Sequence, residues 1–218
     1  KTKNKPKALV KIKKKEILYY QLEQLKKFKI RDVAIIVGYR KKMIINFLKK
    51  EKFFNFTIIE NNYYNTTDSA FSYSLAQKFI YQSDYIHLNC DIIFSKSVLM
   101  ELLSSRKKNI LACRSDLQLG NNMDLIKTSK SKIIKFKNKY FTQAEKKVFG
   151  IAKISANLSS ILNKKIKIDL NKNKLNKKCF SYFDNLYKKI NIYSIQFDKK
   201  NLNEINNLDD YKKTKRFY

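Results

Sequence analysis

The sequence predicts an α/β fold, in which a doubly wound, mostly parallel mixed sheet carries helices on both faces. Three observations lead to this prediction. Asp32–Val37 is a short apolar run without polar alternation, as is typical of a parallel strand buried on both faces. Glu16–Phe28 places its apolar residues on one helical face. The connections between such segments are short, which favours right-handed crossovers between neighbouring parallel strands.

Helices and strands alternate in the first half of the prediction. The strand Asp32–Val37 follows the first helix and ends at Gly38. The next predicted elements are a helix at 42–50, a strand at 56–60, a helix at 68–80 and a strand at 85–89. The pattern then loosens into an antiparallel or mixed extension, with strands at 110–113, 123–127, 133–137 and 147–155. Helices at 157–163 and 179–190, a strand at 192–197 and a helix from Leu208 complete it.

The composition suits one globular domain. Hydrophobic residues make up 44% of the 218 residues, and no linker rich in Gly, Ser or Pro divides the chain. Residues 1–218 are therefore predicted to form a single domain. No stretch approaches the roughly 20 apolar residues of a membrane helix, so we expect no membrane insertion. Cys90, Cys113 and Cys179 are far apart among apolar or aromatic neighbours, which predicts buried free thiols and a cytoplasmic location.

The formal net charge of +30 raises the question of nucleic-acid binding. The excess is nearly all lysine, it is spread along the chain, and it accompanies abundant Asn and Ile. AT-rich codons specify these three residue types, so a genome-wide bias explains the composition without a function. We expect nonspecific binding to polyanions at low salt and no specific nucleic-acid partner. The sequence does not indicate an oligomeric state.

Asp91 directly follows the predicted strand at 85–89, where ligands of open α/β sheets bind. A carboxylate there suits Mg²⁺, although a helix cap or a turn is an equally simple interpretation. Lys7 follows Pro6, the only proline, which fixes the backbone and could aim the ammonium group at a phosphate. His87, the only histidine, lies inside a strand and is interpreted as structural.

A polar loop at 62–72 connects a predicted strand to a predicted helix. It is dense in hydrogen-bonding side chains and includes Asn65, Asp68 and Ser72. These side chains could contact a ligand, or Asp68 could simply cap the helix.

Taken in order, five segments resemble those of the sugar-phosphate nucleotidyltransferases, a family with a nucleotide-diphospho-sugar transferase-like fold. These segments are 2–12, 30–39, 62–72, 88–94 and 203–211. The second has the Gly38-Tyr39 ending of that family's second strand, and the last resembles its closing motif. The branch that the chain resembles most is the phosphocholine cytidylyltransferase type of bacterial surface-glycan pathways.

The resemblance implies residue roles. Lys7 would contact phosphate, and Asp91 and Asn206 would bind Mg²⁺. Gly38, Tyr39, Asn65, Asp68 and Ser72 would lie beside the nucleotide or the acceptor. The implied partners are a nucleoside triphosphate, with CTP favoured, and a small phosphorylated acceptor. The implied reaction transfers a nucleoside monophosphate and releases pyrophosphate.

The sequence departs from the family pattern in two places. No glycine-rich phosphate loop is present, because the only glycines are Gly38, Gly120 and Gly150. We therefore expect that the first strand and its loop are missing and that this chain alone turns over poorly. In addition, Asn206 stands where the closing motif often has aspartate, and Asp209 or Asp210 could compensate.

Tyr182, Phe183 and Asp184 are the candidate contacts for the acceptor, because they fall near where the phosphocholine branch places aromatic residues. They could hold a quaternary ammonium group, or the segment could be an amphipathic helix that buries its aromatic side chains. Three other functions stay open. They are a nucleotide-sugar-dependent glycosyltransferase of similar architecture, a basic nucleic-acid-binding module, and a binding partner that keeps only the fold.

Overall fold

A computed structural model describes residues 4–218 as seven α-helices and twelve strands. The helices are α1 (Ile17–Lys27), α2 (Lys41–Leu48), α3 (Ser69–Leu75), α4 (Lys96–Ser104), α5 (Ala156–Asn171), α6 (Phe183–Leu186) and α7 (Leu208–Thr214). The strands are β1 (Lys11–Ile12), β2 (Lys15–Glu16), β3 (Asp32–Val37), β4 (Asn55–Glu60), β5 (Tyr85–Leu88), β6 (Ile92–Phe94), β7 (Ile110–Arg114), β8 (Leu125–Ser129), β9 (Lys132–Lys137), β10 (Lys146–Ile154), β11 (Tyr193–Gln196) and β12 (Leu202–Glu204). Short 3-10 helices lie at Lys7–Leu9, Ala76–Lys78 and Cys179–Tyr182. The first two residues of the predicted segment at 2–12 lie outside the described part.

The main sheet has six strands in the order β5-β10-β7-β11-β9-β8. β10 runs antiparallel to both of its neighbours β5 and β7, and β7 runs parallel to β11. β5, β7 and β11 therefore share one direction, as a doubly wound sheet requires. The α/β class is confirmed, while direct neighbours are more often antiparallel than predicted. The reason lies in β10, whose run from Val148 to Ala152 is buried and can occupy the middle of the sheet.

Three two-stranded pairs accompany this sheet. β3 and β4 pair in parallel over six residues each. β6 and β12 pair antiparallel, which joins Ile92–Phe94 to a segment more than a hundred residues later. β1 and β2 form a short hairpin ahead of α1.

Two clusters of buried side chains hold the layers together. In the first, Leu18, Leu22 and Leu25 form the apolar stripe of α1 and pack against neighbours that include Phe94 and Leu102. The second lies on the other side of the six-stranded sheet, where α5 contributes buried side chains at every fourth position. Apolar stripes of this kind drive helices onto a sheet because burial removes their side chains from water.

Some boundaries differ from the sequence prediction. The helix expected at 157–163 extends to Asn171, since Leu162 and Ile166 continue its buried stripe. The helix expected at 179–190 is a 3-10 turn followed by the four residues of α6. The sequence prediction missed α4, β6 and β12. Within residues 4–218, no helix is both long enough and apolar enough to cross a bilayer.

Candidate active site

Asp91 lies in the turn between β5 and β6, and three parts of the fold fix this turn. The buried side chain of Gln21, from α1, donates from Nε2 to the carbonyl oxygens of Asn89 and Ile92, at 2.7 and 2.8 Å. The amide of Asn89 donates to a β10 carbonyl at 2.7 Å, and the amide of Ile205 donates to the Asp91 carbonyl at 3.0 Å. The backbone around Asp91 is therefore held from α1, β10 and the chain after β12.

Lys7 joins Asp91 to Asn206. Its Nζ donates to Asp91 Oδ2 at 2.5 Å and to Asn206 Oδ1 at 2.8 Å. The lysine is held in place because the next two residues, Ala8 and Leu9, are buried. Asp91 Oδ1 is also buried, and it has no hydrogen-bond partner among the described residues. The cluster thus contains one buried carboxylate oxygen with free acceptor capacity.

The backbone of Asn206 is fixed by a capping box at the start of α7. Asp210 Oδ2 accepts from the amides of Asn206 and Asn207, at 2.9 and 3.2 Å. Asn207 Oδ1 in turn accepts from the amide of Asp210 at 2.9 Å. This pattern satisfies the free amides of a helix start. The Asp210 carboxylate is therefore engaged at the start of α7. Asp210 could replace Asn206 as a Mg²⁺ ligand only if this cap opened.

A second set of charged side chains lines the same cavity of about 1560 Å³. Lys147 on β10 forms an ion pair with Glu204 on β12, and its ammonium lies 4.7 Å from the centre of the Phe149 ring. Burial raises the pKa of the nearby Asp124 carboxyl to about 6, against the opposing influence of the lysines at 147 and 178. None of these three charged residues was predicted from the sequence as a site residue. The sequence pattern that could have indicated this set is Lys147, which adjoins the apolar run of β10, together with Glu204 in the closing motif.

The model of the nucleotidyl transferase family matches residues 2–115, which is just over half of the chain. The chain belongs to this family. A CTP:phosphoglutamine cytidylyltransferase of Campylobacter jejuni is 26% identical over 161 residues, which are 71% of this chain and 63% of that protein. A choline-phosphate cytidylyltransferase of Streptococcus pneumoniae is 35% identical over 77 residues, which are 35% of this chain and 32% of that protein. The chain thus spans less than two thirds of the length of these curated relatives.

Solved structures support the fold. The CTP:phosphocholine cytidylyltransferase of Streptococcus pneumoniae superposes with a TM-score of 0.83 at 20% identity, over 99% of this chain and 90% of that one. The inositol-1-phosphate CTP transferase of T. maritima gives a TM-score of 0.80 at 14% identity, over 99% and 89% of the two chains. The predicted fold of a nucleotidyltransferase is therefore confirmed.

Asp68 and Ser72 line the cavity. Asp68 is also the N-cap of α3, where its Oδ1 accepts from the amide of Ser69 at 2.5 Å. Ser72 Oγ accepts from the buried side chain of Asn61 at 3.1 Å. The capping interpretation of Asp68 thus holds together with its place at the cavity wall.

Gly38, Tyr39 and Asn65 are not among the residues that line the cavity. Gly38 follows β3, and a Cβ there would come within 2.6 Å of the side chain of Tyr64. The ring of Tyr39 lies 6.2 Å from the ring of Tyr64, and Asn65 is exposed in the next turn. These residues form an exposed aromatic corner at the end of β3.

The structure places Tyr182, Phe183 and Asp184 away from the cavity wall. Phe183 is fully buried, and its ring stacks on Phe180 with 5.4 Å between centroids. Tyr182 donates its hydroxyl to Asp169 at 3.0 Å, and Asp184 forms an ion pair with Lys137 at 3.0 Å. The quaternary-ammonium pocket predicted there is not formed. The amphipathic alternative is the one observed, because the aromatic side chains are taken up by the core.

His87 and two of the three cysteines behave as structural residues, as the sequence predicts. Burial lowers the pKa of His87, whose ring lies 3.0 Å from Asn89 Oδ1 and packs on Phe180. Cys113 and Cys179 are buried as predicted. Cys90 is exposed, contrary to prediction, because it belongs to the turn that carries Asp91 and not to β5.

Proposed function

We propose that this chain carries the activity of a cytidylyltransferase, which transfers CMP from CTP to a small phosphorylated acceptor and releases pyrophosphate. The observation that carries the proposal is the cluster of Lys7, Asp91 and Asn206 at the end of β5. A lysine and a carboxylate at this place suit the binding of a charged triphosphate.

The geometry of the cluster supports a phosphate site. The side chain of Lys7 is 32% exposed and contacts Asp91, which lines the cavity and is only 14% exposed. A half-buried ammonium interacts more strongly with phosphate oxygens than a fully solvated one, because less water screens the charge. Lys7 would orient the phosphates and neutralise charge that develops on them.

The oxygen donors of the cluster fit Mg²⁺. Asp91 supplies a carboxylate with one unpartnered oxygen, and Asn206 supplies an amide oxygen. Mg²⁺ commonly takes one or two carboxylates and completes its shell with water and substrate phosphates. Over residues 4–218, no group of three or more His, Cys, Asp or Glu side chains forms an alternative metal site. Bound there, the ion would supply electrostatic stabilisation of the phosphates.

The proposed reaction needs no general base. An oxygen of the acceptor phosphate forms a bond to the α-phosphorus of CTP, and the bond from that phosphorus to the bridging oxygen breaks. The electron pair leaves with pyrophosphate. Because the acceptor phosphate is already ionised near neutral pH, the residues of the chain need only position the two substrates and neutralise the charge of their phosphates. The buried and structural role of His87 agrees with this scheme.

The choice of CTP rests on the names of the relatives, several of which are cytidylyltransferases. We propose a phosphorylated amine, of the phosphocholine or phosphoglutamine type, or a sugar 1-phosphate as the acceptor, for surface-glycan or lipid precursors. Asp124, Glu204 and Phe149 supply carboxylates and an aromatic ring to the cavity wall. Groups of this kind suit an acceptor that carries a positive charge.

The test begins with equilibrium binding of the four nucleoside triphosphates, with Mg²⁺ and with a chelator. We expect CTP to bind best, only with Mg²⁺, and about tenfold or more weakly to Asp91→Asn. Glu101→Gln is the control, since Glu101 is an exposed carboxylate on α4 and does not line the cavity. Pyrophosphate release with phosphocholine, phosphoglutamine and a sugar 1-phosphate then ranks the acceptors, at the low turnover expected of this chain without a glycine-rich phosphate loop.

Two results would contradict the proposal. One is nucleotide binding that ignores Mg²⁺ and leaves Asp91→Asn unaffected. The other is tight binding of an intact nucleotide sugar with a requirement for Mn²⁺, which would favour a glycosyltransferase. Binding to nucleic acid that falls steeply with salt, without any binding of Mg²⁺-nucleotide, would favour the basic-module interpretation.

A further inference from the structure

A second cavity, of about 550 Å³, lies on the opposite face of α1 from the proposed active site. The leucine stripe of α1 lines the larger cavity, whereas Tyr19, Glu23 and Lys27 line the smaller one. Residues at every fourth position share one face of a helix, and this face is nearly opposite to the leucine stripe. The two cavities have no lining residue in common. We call the smaller cavity the α1 groove.

Tyrosine rings give the α1 groove an apolar surface. The ring of Tyr20 lies 6.2 Å from that of Tyr19 and 5.8 Å from that of Tyr218, edge to face in both pairs. Tyr20 donates its hydroxyl to the carbonyl of Ile12 at 3.0 Å, and Tyr218 donates its hydroxyl to the carbonyl of Asn201 at 3.2 Å. Because these hydroxyls are already bonded within the protein, the rings present mainly carbon atoms to the groove.

Lysines surround this apolar surface. Lys13, Lys14 and Lys15 come from the hairpin ahead of α1, and Lys27 is the last residue of the helix. All four side chains are exposed, and none of them lies within ion-pair distance of a carboxylate among residues 4–218. Glu23 is the acidic side chain that lines the groove. The groove is therefore positively charged at its border and attracts anionic groups.

A buried amide adds a hydrogen-bond donor to the groove. Gln24 lines it and is only 8% exposed. Its Oε1 accepts a long bond of 3.4 Å from Lys27, and its Nε2 donates to no group within the described residues 4–218. Because a buried donor without an acceptor is unfavourable, a carboxylate placed in the groove would gain a hydrogen bond from Gln24.

We propose that the α1 groove binds an extended acidic segment of a partner protein, with one aromatic side chain of that segment against the tyrosine rings. The length of the charged border supports this choice. From Tyr19 to Lys27 the helix rises roughly 12 Å, and the lysines of the hairpin continue the border beyond the start of the helix. An extended chain rises about 3.3 Å per residue, so four or more of its residues lie along the border. A single phosphate group would engage only a part of it.

Two other occupants fit the groove less well. Single-stranded nucleic acid is also an extended anion, but it binds through bases that stack on open aromatic faces. The Nζ of Lys15 lies 3.6 Å from the centre of the Tyr19 ring and covers that face, while Tyr20 and Tyr218 pack edge to face. A second copy of this chain is disfavoured because both copies carry a net charge of +30.

The test measures binding of a labelled peptide to the intact chain. The probe is a peptide of seven residues with phenylalanine at its centre and three Asp or Glu residues on each side. The control peptide replaces the phenylalanine by alanine and keeps every charge. At roughly 0.15 M salt, where exposed charges more than about 8 Å apart are largely screened, we expect saturable one-to-one binding of the probe. The control should bind about tenfold or more weakly, since it buries no ring.

Variants of the protein locate the binding. Tyr19→Ala should weaken binding of the probe by about fivefold or more and leave binding of the control peptide nearly unchanged. Tyr81→Ala is the matched variant, because Tyr81 is 72% exposed and lines neither cavity, and it should change neither affinity. Both substitutions keep the charge of the protein. Gln24→Leu removes the free amide donor and should weaken binding of both peptides by about fivefold or more.

Three results would overturn the proposal. Equal affinity of the two peptides for the parent protein would show that only net charge attracts them. Equal effects of Tyr19→Ala and Tyr81→Ala would show that the probe binds outside the groove. Tighter binding of an oligothymidylate of equal charge, weakened by Tyr19→Ala, would identify single-stranded nucleic acid as the occupant. Neither nucleoside triphosphate nor Mg²⁺ is added, so the outcome is independent of the proposed catalytic activity.

Discussion

Gln21→Leu tests how the turn that carries Asp91 is held. Gln21 is only 5% exposed, and its Nε2 donates to two carbonyls, those of Asn89 and Ile92. Leucine has a similar size but no donor, so both carbonyls lose this partner. Leaving a buried acceptor unsatisfied costs about 1–3 kcal/mol. Since Asn89 keeps a long contact of 3.4 Å with the Ile92 amide, we expect a total loss of about 3 kcal/mol.

Urea unfolding of the two proteins measures this loss. For urea slopes of roughly 1–3 kcal/mol per molar, the midpoint should fall by about 1–3 M. Gln24→Leu is the matched control, because Gln24 is also buried on α1 but only accepts a long bond of 3.4 Å from Lys27. We expect the control to lose less than about 1 kcal/mol. Equal losses in the two variants would refute the role assigned to Gln21.

Gln21→Glu adds a pH signature to the same test. An ionised glutamate would face two carbonyl oxygens, which disfavours the charged form and raises its folded pKa above the unfolded value. The penalty is therefore present above the unfolded pKa and disappears as the pH falls, because the protonated acid donates one hydrogen bond again. Stability relative to the parent should thus recover in acid. A difference that is constant with pH would contradict the two-carbonyl contact.

Two further predictions concern the cavity wall and the turn. Burial raises the pKa of Asp124 to about 6, so the parent protein loses stability as the pH rises from about 4 to about 6 and this carboxyl ionises. Asp124→Asn should therefore be more stable than the parent above pH 6, by at most about 3 kcal/mol, and nearly equal to it below pH 4. Urea unfolding across pH measures the difference, with Asp209→Asn as the control. A Cβ on Gly150 would come within 2.2–2.5 Å of the Asn89 side chain. Gly150→Ala should therefore lower the free energy of unfolding by about 2 kcal/mol in the parent, and by much less in a protein that already carries Asn89→Ala. Additive losses in that double-mutant cycle would show that the two side chains do not collide.

The sequence predicted the early elements well because their signals are local. The apolar run of β3 and the stripe of α1 match their structural bounds within one residue. β6 and β12 were missed because each is only three residues long and its partner lies more than a hundred residues away. No short window of the sequence contains that information.

The candidate site was predicted in part. The order of the motifs placed Lys7, Asp91 and Asn206 in one site, and the structure brings them into contact. Gln21 was not predicted to support the site, since a glutamine next to an apolar stripe is equally compatible with the edge of a helix. Phe183 was predicted as a possible ligand contact but is buried in the core. The sequence alone does not distinguish an aromatic residue that binds a ligand from one that fills the core.

The Lys7 cluster also has a consequence for the order of events during synthesis. Lys7 and Asp91 are 84 residues apart, whereas Lys7 and Asn206 are 199 residues apart. Closing the longer loop costs roughly 0.8 kcal/mol more in chain entropy, a small difference that the sequence of translation reinforces. At ribosomal rates of roughly 5–20 residues per second, Asn206 is made about 6–23 s after Asp91. Both the lysine and the carboxylate are therefore made several seconds before the amide oxygen that completes the cluster.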